Sequence, residues 1–259
     1  MIYLKIRDQI HFSYAGKKSS DYGLYNINLE GGMVHDVFVS PRTIGEIPIR
    51  GKDKPYFQEV KREPLTFSVS FSIGEPKDFV NLQNIAKWLC GQEYYQPLFF
   101  APEIHKIYYA LFVEDSELIH TTMDSGYINL TARTNAPYAF SPIFITREYS
   151  FAGTENIIIK NAGQLPIYPE VYVTMPGDAS PGFSINNLTD ENTGFSFSQL
   201  ANGEQLYINC EKQFIETSEH NTYRYNNMLG DFIRLLPGNN RLKLQGYTSM
   251  YFRYQCKLL

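Results

Sequence analysis

The sequence predicts a mainly β protein: an N-terminal β-sheet or sandwich domain with one α-helix, followed by a C-terminal β-sandwich. Three observations predict it. Apolar residues alternate with polar ones in many short runs, only one stretch carries helical spacing, and aromatic residues make up 15 % of the 259-residue chain, a bias that suits pleated, half-buried surfaces. With 43 % hydrophobic and 19 % charged residues the composition excludes a disordered chain.

The clearest strand is 65–73, where Leu65, Phe67, Val69, Phe71 and Ile73 alternate with Thr66, Ser68, Ser70 and Ser72. A period of two places the five apolar side chains on one face of a half-buried antiparallel sheet. The helix follows at about 77–90: Pro76 suits its start, Phe79, Leu82, Ile85, Ala86 and Leu89 recur at helical spacing, and Gly91 suits its end. Trp88, the single tryptophan, lies near that stripe and reads as a core or interface side chain. Further strands are expected at 96–100, 107–113 and 127–133, separated by turn-forming or charged residues.

Between Asn135 and Pro142 two prolines break the periodicity, and beyond them no good helix occurs. The domain boundary is placed near residue 145, giving domains 1–145 and 146–259. In the second, strands are expected at 156–160, 170–174, 194–197, 205–211, 231–236, 241–245 and 249–257, with Pro237-Gly-Asn-Asn240 as a hairpin turn.

A segment of different character spans 40–62. Its six basic and three acidic residues, three prolines and sparse apolar positions would make a poor independent core. Such a segment is either a mobile loop or an arm ordered by an adjacent subunit.

Charge and motifs narrow the function. A formal net charge of −4 provides no long-range pull towards nucleic acid or an anionic membrane, so neither specific nucleic-acid binding nor membrane insertion is expected. Met1-Ile2-Tyr3-Leu4-Lys5-Ile6-Arg7-Asp8 reaches charges before an apolar leader can form, and the product is expected to be soluble. Cys90, Cys210 and Cys256 are too scattered for a disulfide framework or a metal site and read as buried thiols. The sequons beginning at Asn129 and Asn187 read as chance matches.

No GxSxG, P-loop, GxGxxG or HExxH pattern is present. His11, His35, His105, His120 and His220 form no pair at metal-binding spacing. Asp178, Asp190, Glu191, Glu204 and Glu219 fall in expected loops, where a glycosidase on a sandwich keeps its acid and base but where carboxylates are ordinarily just solvated. Tyr168, Tyr172, Tyr207 and Tyr223, with Tyr225, Tyr247 and Tyr251, offer rings for stacking on sugars or for packing against protein. No catalytic, metal-binding or cofactor-binding residue is assigned, and no cofactor is expected.

The ordered succession of segments resembles the distal tail (Dit) proteins of siphophages and related prophages, over essentially the whole chain. In the first half the resemblance rests on Asp21-Tyr-Gly-Leu24, the polar segment from Pro41-Arg42 to Arg62, the alternating 65–73 strand, Asn84-Ile-Ala-Lys-Trp-Leu89, Gln96-Pro-Leu-Phe-Phe100 and Tyr108-Tyr-Ala-Leu-Phe112. In the second it rests on Asn161-Ala-Gly163 with Pro166 and Pro169, Asn202-Gly-Glu-Gln-Leu-Tyr-Ile-Asn209, and Leu236-Pro-Gly-Asn-Asn240.

The resemblance implies a non-enzymatic hub: a first domain assembling into a hexameric ring, or a back-to-back double ring, and a galectin-like sandwich mounted outside. It implies contacts with the tail tube protein, the tail-associated lysin or spike protein, and receptor-binding or baseplate proteins. The ring would sit at the virion tail tip, with a lumen for DNA, after synthesis and assembly in the bacterial host cytoplasm. Within this picture 40–62 becomes a ring-interface arm, with Arg42, Arg50, Arg62 and Tyr56 as candidate contacts. The alternative function is a carbohydrate-binding module for host cell-wall glycans, with Tyr168, Tyr172, Tyr207 and Tyr223 as stacking residues. The tryptophan and the His-Asn-Pro-Arg run on which true galectins rely are absent from the second half.

Overall fold

The computed structural model describes residues 11–26, 40–73, 79–101, 105–121, 125–178 and 182–259. Strands account for 54 % and helix for 8 %, so the chain is mainly β as expected. It divides into two compact units, Met1–Phe140 together with Leu259, and Ser141–Leu258.

The first unit contains β1 (Phe12–Tyr14), β2 (Lys17–Lys18), β3 (Leu24–Asn26), β4 (Arg42–Ile47), β5 (Tyr56–Arg62), β6 (Thr66–Ile73), α1 (Phe79–Cys90), β7 (Gln96–Phe100), β8 (Tyr108–Thr121), β9 (Ser125–Thr134) and β10 (Ala139–Phe140). Seven of these strands form an antiparallel sheet in the order β2-β1-β7-β8-β9-β6-β3. The alternation of β6 works as expected: Val69 and Phe71, with Leu65 just ahead of the strand, are buried, and Thr66 and Ser68 are exposed.

Helix α1 lays Ile85, Trp88 and Leu89 into a core with Phe12, Tyr14, Phe71, Leu98 and Leu130. Residues 77 and 78 of the expected helix lie outside the described residues. At its end the Gly91 N–H donates to the Lys87 carbonyl at 3.1 Å. A β-carbon at residue 91 would lie 2.4 Å from that oxygen, so only glycine closes the helix this way. Trp88 is stacked between Phe12 and Tyr22, and its Nε1–H donates to the Tyr14 carbonyl at 2.9 Å. Strand β8 runs well past the expected 107–113 through Glu114-Asp-Ser-Glu117, and its register against β9 shifts between Val113 and Glu117.

The second unit contains β11 (Phe144–Ile145), β12 (Tyr149–Asn161), β13 (Glu170–Thr174), β14 (Phe183–Asn187), β15 (Thr193–Phe197), β16 (Gln205–Asn209), β17 (Phe214–Thr217), β18 (Met228–Gly230), β19 (Gly238–Tyr254) and β20 (Lys257–Leu258). Strand β19 organises it. On one edge its first half pairs with β14, from Asn187↔Leu242 to Phe183↔Gly246, and its second half pairs with β13, from Thr174↔Ser249 to Glu170↔Arg253. Along its other edge β12 follows it through thirteen successive pairs. A single hydrogen-bonded sheet of nine strands is thereby curled around one core, to which Ile185, Phe195, Leu242 and Leu244 contribute with Val171, Val173, Ile208 and Phe252.

Several expectations need correction here. The expected strands 241–245 and 249–257 are mainly one continuous strand. Within the expected strand 231–236 there is only the isolated bridge Ile167↔Leu235. Asn240 is not a hairpin-turn residue: its buried side chain accepts from Leu236 N–H (2.8 Å) and Asn187 Nδ2 (3.0 Å) and donates to the Leu236 carbonyl (2.7 Å). Strands β14, β17 and β18 were not expected. Cys210 and Cys256 are buried, but Cys90, in the last turn of α1, is exposed.

Candidate functional site

The 40–62 segment is a β-hairpin. Strands β4 and β5 form a two-stranded sheet of their own, and every strand residue except Gly45 is exposed. A lone two-stranded hairpin is marginally stable at best in water, and this one bares Ile44, Ile47, Tyr56, Phe57 and Val60. The register brings Arg42 opposite Arg62 and Tyr56 opposite Ile47. Arg50 lies in the connection between the strands and joins neither pair.

In the second unit the register aligns Tyr251, Tyr172 and Tyr207 in one row across β19, β13 and β16. The Tyr172 ring is stacked on Tyr251 with centroids 4.6 Å apart and planes 6° from parallel, and meets Tyr207 at 5.0 Å and 44°. Beside the row, Arg253 pairs with Glu170, and Asn209 Nδ2 donates to the Tyr207 hydroxyl at 3.1 Å. Desolvation by burial, and then the Glu170 charge, pushes the Tyr172 phenol up; Tyr207 rises chiefly by burial, so both hydroxyls keep their protons at neutral pH. Sugar stacking uses a free ring face, and Tyr172 has a neighbouring ring on each side. Tyr168 and Tyr223 stand apart from this row, each without an aromatic neighbour among the described residues, and Tyr223 is 84 % exposed.

The five loop carboxylates differ in burial. Asp178 and Glu191 are exposed and Glu219 is half-buried. Asp190 and Glu204 are buried, against the expectation of solvated loop acids, and each is held by one arginine. Arg234 contacts both oxygens of Asp190 at 2.7 and 2.9 Å. Arg224 contacts both oxygens of Glu204 at 2.8 and 2.7 Å, where Thr217 Oγ1 and the Ala201 N–H also donate. Burial by itself would raise the Glu204 pKa, but the hydrogen bonds from Arg224, Thr217 and Ala201 outweigh it and hold this carboxyl below its ordinary value. A general acid needs the opposite, a carboxyl kept protonated. These pairs carried no sequence signal, because each joins residues far apart along the chain.

Two β units, one bearing a separate exposed hairpin and the other carrying its buried acids as ion pairs, define a two-domain β protein. Residues 7–136 match the family model described as a phage tail protein N-terminal domain, and residues 162–257 match the siphovirus-type tail component, C-terminal domain. The chain belongs to this phage tail protein family. It is 29 % identical over 255 residues to the SPbeta prophage-derived uncharacterized protein YomH of Bacillus subtilis (strain 168), covering 98 % of this chain and 100 % of that one.

Among solved structures, the SPP1 Dit protein, described as a paradigm of the hub adsorption apparatus in phages infecting Gram-positive hosts, superposes with a TM-score of 0.71. It covers 96 % of this chain and 99 % of its own at 16 % identity. A chain of the phage P2 baseplate in its activated conformation with Ca superposes with a TM-score of 0.51, covering 96 % and 99 % at 7 % identity. The fold is that of Dit.

Proposed function

We propose that the chain is the structural hub at the distal end of a siphophage tail. Six copies form a ring that joins the tail tube to the tip or baseplate, and its lumen passes DNA. Partners are the tube protein, the lysin or spike protein, and receptor-binding or baseplate proteins. The function is mechanical. The observation that carries this reading is the likeness to a hub protein along 96 % of the chain, which takes in both units.

The β4–β5 hairpin supports self-association, because an exposed strand pair with bared apolar side chains gains stability by docking on a neighbour. It serves as the arm that meets an adjacent subunit, with Arg42, Arg62 and Tyr56 on its strands and Arg50 at its turn. The test is electron microscopy of the purified chain, concentrated to hundreds of micromolar so that mass action favours assembly. Six-fold rings are expected, and deletion of residues 45–58 should leave folded monomers. A wild-type chain that stays monomeric throughout would overturn the hub reading; intact rings after the deletion would overturn the role of the arm.

A further inference from the structure

Strand β12 forms a rim of the second unit's sheet: β19 pairs with it along one side, and among the described residues no strand pairs with it along the other. Parity decides which backbone groups that rim presents. The Leu188 N–H donates to the Arg241 carbonyl at 2.8 Å, so Arg241 and Lys243 turn their backbone groups towards β14, and Asn240, Leu242 and Leu244 turn theirs towards β12. There they meet Ile159, Ile157 and Glu155. The alternate residues Thr154, Asn156, Ile158 and Lys160 therefore point N–H and C=O outwards, and all four are exposed. Of these backbone groups only the Lys160 carbonyl has a partner among the described residues, the Tyr254 hydroxyl at 3.2 Å.

The rims at β17 and β18 are short or closed. Strand β18 has three residues and β17 four, and the outward Ile215 N–H of β17 donates to the Tyr225 hydroxyl at 3.2 Å. Soluble proteins guard a long rim with a proline, an outward charge or a bulge. From Thr154 to Ile158 this rim has no proline and no outward charge, and its register with β19 is unbroken. Behind it the outer face is basic. Register and alternation put Lys160, Arg241 and Lys243 on that face, none with an ion-pair partner among the described residues, while Glu155 alternates onto the other. Ile158, opposite Arg241, is 64 % exposed.

We infer that the β12 rim takes an added strand from another polypeptide, a segment with carboxylates at alternate positions that meet Lys160, Arg241 and Lys243. The inference deepens the hub reading, on which it rests for the source of the strand, an adjoining tail protein. The rim from Thr154 to Lys160 accommodates a strand of roughly 20 Å. Main-chain hydrogen bonds to Thr154, Asn156, Ile158 and the Lys160 N–H supply affinity, and the side chains supply specificity. The intervening residues of the added strand fall on the core face beside Ile157 and Ile159, and so are apolar. A second copy of β12 does not fit. It would bring the same basic row, and β12 against β12 lies on a two-fold axis, which neighbours around a ring do not share.

The test uses the full chain at micromolar concentration, where no ring is needed, and a fluorescent peptide of four Val-Glu repeats compared with one of four Val-Lys repeats. The acidic peptide is expected to bind about tenfold more tightly than the basic one. Lys160→Glu, Arg241→Glu and Lys243→Glu together should reverse that preference. Asn156→Pro removes only an outward N–H, a change that an edge strand tolerates, and should weaken binding of the acidic peptide about tenfold. Far-ultraviolet circular dichroism shows whether each variant is folded; if the proline variant is not, the charge-reversed chain and hydrogen exchange decide. In exchange read by nuclear magnetic resonance, the acidic peptide should slow the amides of Asn156, Ile158 and Lys160 and leave those of Glu155, Ile157 and Ile159, already bonded to β19, unchanged. No binding of the acidic peptide, no charge preference, a uniform exchange response, or undiminished binding by a folded Asn156→Pro chain would each overturn the inference. So would an Asn156→Pro chain that loses self-association while the peptide never binds, since that gives the rim to a second copy. Six-fold rings without peptide binding would leave the hub reading standing and this inference fallen.

Discussion

Gly153 and Gly246 stand directly opposite one another in the long β12–β19 ladder, and both have positive φ, +112° and +130°. Here β19 leaves β14, whose pairing with it ends at Phe183↔Gly246, and three residues later takes up β13 at Ser249↔Thr174. Both strands pass through the bend that curls the sheet around its core. The two glycines differ in what surrounds them. A β-carbon at 246 would lie 2.6 Å from the Gly182 oxygen and 2.9 Å from Phe183 Cα, whereas one at 153 would meet nothing within 4 Å.

Gly153→Ala should therefore destabilise the second unit only by backbone strain, about 1–2 kcal/mol. Gly246→Ala adds overlap with backbone atoms that cannot swing aside, and should cost distinctly more. Urea unfolding of the two variants is the measurement, and equal losses would refute this account of the bend.

Trp88 supplies a second prediction. Buried between Phe12 and Tyr22, it satisfies the Tyr14 carbonyl. Trp88→Phe keeps an aromatic ring but loses that hydrogen bond, a cost of about 0.5–1.5 kcal/mol. Trp88→Ala also opens a cavity, at about 3–5 kcal/mol. Thermal unfolding followed by circular dichroism should rank wild type, Phe and Ala in that order; an Ala variant as stable as the Phe variant would show that the stacking contributes nothing.

The parts of the fold legible in the sequence are those where local pattern and tertiary role coincide. Leu65, Val69 and Phe71 alternate because one face of β6 is covered, and 170–174 reads as a strand because Val171 and Val173 face the core. Reading failed where one residue type serves two purposes. Gly246 looks like a break between strands, yet here it lets one strand of seventeen residues bend. Asn187 ends a strand that its polarity concealed, because its side chain is buried on Asn240 and the Arg234 carbonyl. The 40–62 segment was legible as one that builds no core of its own. That it is a hairpin with Arg42 opposite Arg62 depends on a bulge at Gln58, which leaves no mark on the alternation.

The cysteines give a chemical check on burial. Cys90 is exposed, while Cys210 and Cys256 are buried, and desolvation pushes the Cys210 thiol up to about 12. Native protein at neutral pH should react with a thiol reagent such as dithiobis(nitrobenzoate) at one cysteine, and unfolded protein at three. Desolvation also raises the Cys90 thiol, so its labelling should be slower than that of a free thiol and should accelerate with pH. Rapid labelling of all three in the native protein would contradict the packing around Cys210 and Cys256.

The ion pair of Glu204 and Arg224 should govern acid stability of the second unit. Glu204 is fully buried and Arg224 nearly so, so Arg224→Ala leaves an uncompensated buried carboxylate and should cost about 3–5 kcal/mol at neutral pH. Because the folded-state pKa of Glu204 is depressed, its contribution is fully present above the unfolded value, about 4.3, and is lost as pH falls through the folded one. In the Arg224→Ala variant protonation instead relieves the unpaired charge. The gap in stability between wild type and variant should therefore narrow as pH is lowered towards 4 and below, and Glu204→Gln added to Arg224→Ala should recover part of the loss at neutral pH by removing that charge. Urea midpoints between pH 7 and pH 3 would show this; a gap independent of pH would mean that Arg224 acts by packing alone.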